Sequence, residues 1–252
     1  MDFGDPGQRA AFFTLHSGLP REGPGNRAST ERALGLVASL PAAADLLDIG
    51  CGPGAQTIDL AEALPEARIV ALDAHEPFLR ELEQRAAGRG VAGRIRTVHG
   101  DMARLPFGPA SFDLIWCEGA AYILGVETAL STWKGLLRDR AALALTEPVW
   151  LTDDPPDRAR AFWSAYPAMR DRESLLAAAL AAGYRIAGDF VLPEEAWRDD
   201  YYRPMEARIA EIERSIADDP AAAIVLAEAR EEMECFRAHS DSYSYLFLVL
   251  EA

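Results

Sequence analysis

The sequence predicts an α/β protein: an open, mainly parallel sheet with helices on both faces. Short apolar runs alternate with helical patterns along most of the chain, which is the order that a parallel sheet requires. The first apolar run opens directly into three closely spaced glycines, the turn of a strand entering a helix. The chain has 252 residues, half of them hydrophobic, which is enough for one such domain with an elaboration.

Residues 1–40 read as an N-terminal helical lid. A helical patch near 8–15 precedes GLPREGPGNRAS, where two prolines and three glycines forbid regular structure. Thr30 is placed to cap a helix running to about residue 40. The core follows over 41–192. Its strands are DLLDI, RIVALD, IRTVHGD, SFDLIWC and AALALTE, with helices expected over 55–64, 76–87 and 126–137. A helix over 172–182, ended by Gly183, leads to a sixth strand, YRIAGDFVL. Residues 193–238 read as a helical insertion, and 239–252 hold the closing strand, SYSYLFLVLE. Within 193–234 there are thirteen Asp or Glu against five Arg, a net charge of −8.

Composition excludes several functions. A net charge of −15 argues against nucleic acid, whose binding needs clustered cations. Lys134 is the one lysine, and arginine use with abundant alanine is associated with GC-rich bacterial genomes. Three well-separated cysteines and no histidine at ligand spacing predict a reducing compartment, no disulfide framework and no metal. The opening MDFGDPGQRA lacks a basic region followed by an apolar run, so no signal peptide and a cytoplasmic location are expected. The longest apolar stretch, LLAAALAA, is far too short to span a bilayer.

The stretch LLDIGCGPGAQ fits two patterns. As Gly50-x-Gly52-x-x-Ala55 it is a dinucleotide fingerprint. As Asp48-x-Gly50-x-Gly52-x-Gly54 it suits an adenosyl amino acid. The charge at the strand ends decides between them. The first five strands are expected to end at Asp48, Asp73, Asp101, Glu118 and Glu147, one carboxylate each on the rim where ligands of such sheets sit. At an effective dielectric near 20, a carboxylate about 4 Å from a phosphate charge costs roughly 4 kcal/mol before screening. S-adenosylmethionine carries a sulfonium and an ammonium against one carboxylate, so the same rim attracts it. Asp73 is placed to accept from its two ribose hydroxyls. The glycines let the backbone turn sharply and approach the ligand.

LLDIGCGPG, ALDAHEPFL, VHGDMARLPFGPASFDLIWCEGA and GY…FVLP resemble, in order and spacing, the class I S-adenosylmethionine-dependent methyltransferases. The resemblance implies a Rossmann-like, doubly wound sheet of seven strands with the last antiparallel, the helical insertion lying between strands six and seven. It implies that the Asp48–Gly54 loop, including Gly50, Cys51, Gly52 and Gly54, holds the methionine tail, joined by Gln56. Asp73 with Ala74 would hold the ribose, Asp101 and Met102 would bracket the adenine, and Cys117, Glu118 and Gly119 would face the methyl. The segments EGPGN, EGAAY and WRDDYYRPM are similar to those of bacterial small-molecule methyltransferases with unassigned substrates.

The sulfonium methyl is already activated, so such an enzyme mainly aligns a nucleophile, and a base helps with hydroxyl or acidic-carbon acceptors. Glu118, Tyr122 and His16 are the candidate catalytic residues, Glu118 first because it sits at a strand tip. His75 is expected to border the adenosyl site. Arg21, in the strap LPREGPGN, is the expected partner of the cofactor's carboxylate, with Glu22 available to cap the next helix. Trp197, Tyr201, Tyr202 and Trp150 either wall an acceptor pocket or pack the insertion on the sheet. The acidic insertion disfavours a strongly anionic acceptor. Two other functions fit less well: an S-adenosylmethionine-binding module without catalysis, and an NAD(P)-dependent oxidoreductase, which the carboxylate rim opposes.

Overall fold

The computed structural model describes residues 4–216 and 218–252. Two helices, α1 (Pro6–His16) and α2 (Arg27–Leu34), precede the sheet. The alternation then runs β1 (Asp45–Ile49), α3 (Ala55–Ala63), β2 (Arg68–Asp73), α4 (Glu76–Gly88), β3 (Ile95–His99) and β4 (Phe112–Cys117). After α5 (Ala121–Leu124) and α6 (Val126–Lys134) come β5 (Leu137–Trp150), α7 (Asp157–Phe162), a two-residue β6 (Arg170–Asp171), α8 (Arg172–Ala181) and β7 (Arg185–Val191). Helices α9 (Glu194–Trp197), α10 (Arg203–Ile212) and α11 (Pro220–His239) separate β7 from β8 (Tyr243–Glu251).

The strand order is β3-β2-β1-β4-β5-β8-β7, with β6 pairing only β5. β1 to β5 are mutually parallel, and β8 runs antiparallel between β5 and β7. Successive residues of a strand face opposite sides, so Leu46, Trp116, Ala144 and Phe247 fill one core and Leu47, Ile115, Leu143 and Leu248 the other. The chain leaves β1 toward β2 on one side and returns to β4 on the other. That reversal opens a crevice at the carboxyl ends of β1 and β4. No helix among the described residues is long and apolar enough to cross a membrane.

Several element boundaries differ from the sequence expectation. α2 starts earlier, because Asn26 rather than Thr30 is its cap: Asn26 Oδ1 accepts from Ser29 N at 2.9 Å. Thr30 lies inside the helix, which stops at Gly35. The helix after Gly125 ends at Lys134 instead of running to 137. β3 stops at His99, two residues before Asp101. β5 extends three residues past Glu147. Proline cannot donate to a ladder, so it fits a strand only where that hydrogen bond is not needed. In the fold, β4 has already ended opposite Leu145, leaving Pro148 with no ladder bond to give on that side.

Candidate active site

The loop after β1 is tied to β2. Gly50 N and Cys51 N both donate to Leu72 O, at 2.8 and 3.0 Å, and Gly52 N donates to Asp73 Oδ2 at 2.8 Å. His75 N donates to Asp73 Oδ1 at 2.8 Å. Asp73 thus stands at the tip of β2 with its carboxylate held by backbone donors from Gly52, Ala74 and His75. Burial raises its carboxyl.

Asp48 differs from the expected role of a ligand for the methionine tail. It is fully buried, accepting from Thr57 Oγ1 at 2.5 Å and Gln56 Nε2 at 3.4 Å, and Gln56 Nε2 also donates to Cys51 O at 3.2 Å. Asp48 and Gln56 therefore brace the loop from inside. Cys51 is buried as well, its thiol pushed up by burial.

Burial pushes the Asp48 carboxyl up to about 7, opposed by the Thr57 hydrogen bond and reinforced by Glu118. A raised folded-state value means that the native state binds more protons than the unfolded chain between pH 4 and 7. This contribution to stability is present at low pH and is lost as pH rises through 7. Urea midpoints should fall between pH 5 and 8, and Asp48→Asn should flatten the fall. An unchanged slope in the variant would assign it to other groups.

Glu118 carries three donors: Arg21 Nη2 at 2.6 Å, Trp116 Nε1 at 2.8 Å and Thr30 Oγ1 at 3.2 Å. With three donors on its two oxygens, the Glu118 side chain is committed to the protein's own groups. Arg21 is equally committed, its Nε donating to Gly23 O at 2.8 Å, and both side chains are buried. The pair locks the strap to the end of β4, so Arg21 faces Glu118 where a cofactor carboxylate was expected. Cys117 also departs from expectation: it is fully buried on the opposite core, beside Ala120, Ala121 and Val126.

The β2–β3 side of the rim is partly open. Asp101 is exposed and accepts from Ala103 N at 2.8 Å. Met102 reaches back over the glycine loop, its Cε 3.8 Å from where a Cβ on Gly50 would lie. Ala74 is exposed, its carbonyl 3.0 Å from His99 Nε2. The His75 ring stacks on Phe13 of α1 at 3.6 Å, which places α1 across this side. His16, at the end of α1, is buried with Nδ1 2.6 Å from Glu22 Oε2. Glu22 lies on the glycine loop, its Cγ 3.1 Å from where a Gly52 Cβ would sit, and its Oε1 is buried without a hydrogen-bond partner.

Beyond the loop the fold gathers tyrosines and carboxylates, with Tyr122 of α5 and Glu232 of α11 both half-buried. Burial raises Tyr122 to about 12, with Glu232 and Glu147 adding to the rise. Its ring meets Tyr166 at 5.6 Å, and Tyr166 OH donates to Glu147 Oε1. Tyr202 OH donates to Glu232 Oε1 at 3.2 Å, beside the ring of Tyr201. Tyr245 of β8 lies at Gly119, 4.0 Å from where a Cβ there would sit. Trp197 instead packs the insertion on the sheet, stacking on Phe236 at 4.6 Å and donating to Ser244 Oγ at 3.0 Å. Trp150 pairs edge-on with Tyr243 at 6.4 Å. Sequence reasoning did not single out Tyr166, Tyr245 or Glu232. Tyr166 lies in a segment without periodicity, and Glu232 is one acid among thirteen. Among the described residues no group of three or more His, Cys, Asp or Glu is arranged to hold a metal ion.

A doubly wound sheet with a glycine turn after the first strand and a carboxylate at the tip of the second defines a Rossmann-like ligand-binding fold. Residues 46–140 match a family described as methyltransferase domain. Trans-aconitate 2-methyltransferase of Azoarcus sp. (strain BH72) is 31% identical over 203 residues, covering 78% of this chain and 72% of that protein. Nocamycin O-methyltransferase of Saccharothrix syringae is 35% identical over 125 residues, covering 49% of this chain but only 44% of that protein. The chain thus spans less than half the length of that relative. A methyltransferase from Thiobacillus denitrificans, solved with S-adenosyl-L-homocysteine, has the same fold: TM-score 0.84 at 21% identity, covering 96% of this chain and 97% of that one. The chain belongs to the S-adenosylmethionine-dependent methyltransferases.

Proposed function

We propose that the protein moves the methyl group of S-adenosylmethionine to a small-molecule acceptor held between the sheet, α1 and α11. The observation that carries this is Asp73. Backbone donors fix its carboxylate at the tip of β2, where it is placed to accept from the ribose hydroxyls. The cofactor supplies a methyl already activated on cationic sulfur. The chain's own residues do the rest: the Gly50–Gly54 loop binds the methionine portion, Met102 and Asp101 border the base, and Glu22 offers an unpartnered oxygen to the cationic tail.

Residues 1–40 act as the lid and 193–238 as the roof of the acceptor space, with Tyr122 and His16 facing the acceptor. The acidic lining disfavours polyanionic acceptors such as the one named for the Azoarcus relative. The strong negative charge supports the absence of a nucleic-acid partner, and the free, buried cysteines support a bacterial cytoplasm.

Purified protein with methyl-labelled donor and a metabolite extract should yield a labelled small molecule. Tight S-adenosylhomocysteine binding without any labelled product would instead mark a binding module, and preferential NADH binding would mark an oxidoreductase. Asp73→Ala should weaken S-adenosylhomocysteine roughly 10–100-fold, since hydrogen bonds to a charged group contribute about 1.5–3 kcal/mol. Calorimetric titration showing no loss would remove Asp73 from the cofactor site.

A further inference from the structure

Glu147 is 1% exposed, yet only one of its oxygens has a partner. Oε1 receives the Tyr166 hydroxyl, while Oε2 is buried with no donor. A buried polar atom left without a partner costs about 1–3 kcal/mol, more when it is charged. Its surroundings are aromatic: Tyr122, Tyr166 and Tyr245 all feel its charge. Glu232, with one oxygen on Tyr202, acts together with Glu147 on the same two rings, Tyr122 and Tyr245. The cations nearby are already engaged: Arg170 with Glu127 at 2.5 Å, Arg21 with Glu118, and His16 with Glu22. Arg170 and His16 act on Glu147 and Glu232 only at a distance, their own contacts being to Glu127 and Glu22, so neither supplies Glu147 Oε2 with a donor. Carboxylates among tyrosine faces form an environment that a positively charged guest relieves and an anion worsens.

We propose that the acceptor is a basic amine, bound as its ammonium by Glu147 and Glu232 within the tyrosine wall, and that Glu147 Oε2 takes the proton that frees its nitrogen. This rests on the methyltransferase assignment. The nitrogen–hydrogen bond breaks with the proton passing to Glu147. The nitrogen lone pair then forms the carbon–nitrogen bond as the carbon–sulfur bond breaks, the electron pair remaining on sulfur. The methylated nitrogen leaves as an ammonium, and the proton on Glu147 goes to water. Burial holds the Glu147 carboxyl up at about 7, suited to receive a proton near neutral pH.

The test uses the full chain saturated with S-adenosylhomocysteine, titrated calorimetrically with phenethylammonium, phenethyl alcohol and phenylacetate. Phenethylammonium should bind at least tenfold tighter than the alcohol, and phenylacetate weakest. Glu147→Gln, which keeps an acceptor for Tyr166, should erase the tenfold preference, and Glu232→Gln should reduce it. Labelled product from the extract should be retained on a cation exchanger. Equal binding of the alcohol, no binding of the ammonium, an unchanged preference in both variants, or a labelled product that is neutral or anionic would each overturn the inference. Saturation with S-adenosylhomocysteine reports the methyltransferase assignment separately: a chain that binds it but ignores the ammonium loses only the amine.

Discussion

Arg21→Ala is expected to destabilise the folded chain by about 3–5 kcal/mol, the cost of leaving one member of a buried ion pair alone. Arg21 Nη2 and Glu118 Oε2 are 2.6 Å apart with both side chains under a tenth exposed, so no water replaces the lost guanidinium. Trp116 and Thr30 still donate to Glu118 in the variant, but neither carries charge. The strap loses its anchor with the same change. Its remaining ties include Glu22 on His16 at 2.6 Å, Gly25 N to Ala196 O at 3.2 Å and the Arg85 guanidinium on Leu19 O and Pro20 O. S-adenosylhomocysteine should therefore also bind several-fold more weakly, because Glu22 sits on this strap above the glycine loop. Urea unfolding measures the first effect and titration the second. The double variant Arg21→Met/Glu118→Leu separates charge from packing: replacing both ions with apolar groups should recover much of the stability. A single variant as stable as the parent would show that the pair is solvated in solution.

Gly54→Ala is expected to cost about 2–5 kcal/mol, combining a left-handed backbone with overpacking. Gly54 has φ +90°, and a Cβ there would lie 2.1 Å from Leu82 Cδ1 and 3.0 Å from Leu82 Cβ. Rotating the leucine clears its Cδ1 but not its Cβ, so α4 and the start of α3 must separate. The loop opens with them, and cofactor affinity should fall in parallel. Gly90→Ala is the control: it has φ +72° and no atom near the added methyl, so it should lose only the smaller conformational share. Equal losses in the two variants would show that Leu82 yields freely.

This position also refines the role of the glycines. The sequence suggests that they admit a ligand, yet Gly54 is required by helix α4, and Gly50 by Ala120, whose Cβ lies 2.6 Å from where a Gly50 Cβ would sit. Of the three, Gly52 is the one that meets the strap, at Glu22. Spacing reports that a side chain is forbidden without saying what forbids it.

The fold was legible because its signals are local. Apolar runs such as RIVALD and DLLDI coincide with β2 and β1 to the residue, and the alternation with helices implies parallel order. Asp73 was legible for the same reason, lying at a fixed distance from a recognisable turn. Boundaries failed where a residue had a second allowed setting: Pro148 stands inside a strand because β4 ends before it, and Asn26 took the cap expected of Thr30.

What the sequence determined by itself was the class of sheet, the glycine turn and the acid on β2, since each is written in residues near one another along the chain. What only the tertiary structure decided was which polar groups are spent and which remain available. Glu118 is neutralised by Arg21 from 97 positions away, whereas Glu147 keeps a bare oxygen among tyrosines drawn from α5, β8 and the segment after α7. Both are acids at the carboxyl end of neighbouring strands, and nothing local distinguishes them. The difference is one of partners and solvent exclusion, and those are fixed only when distant segments close over the sheet.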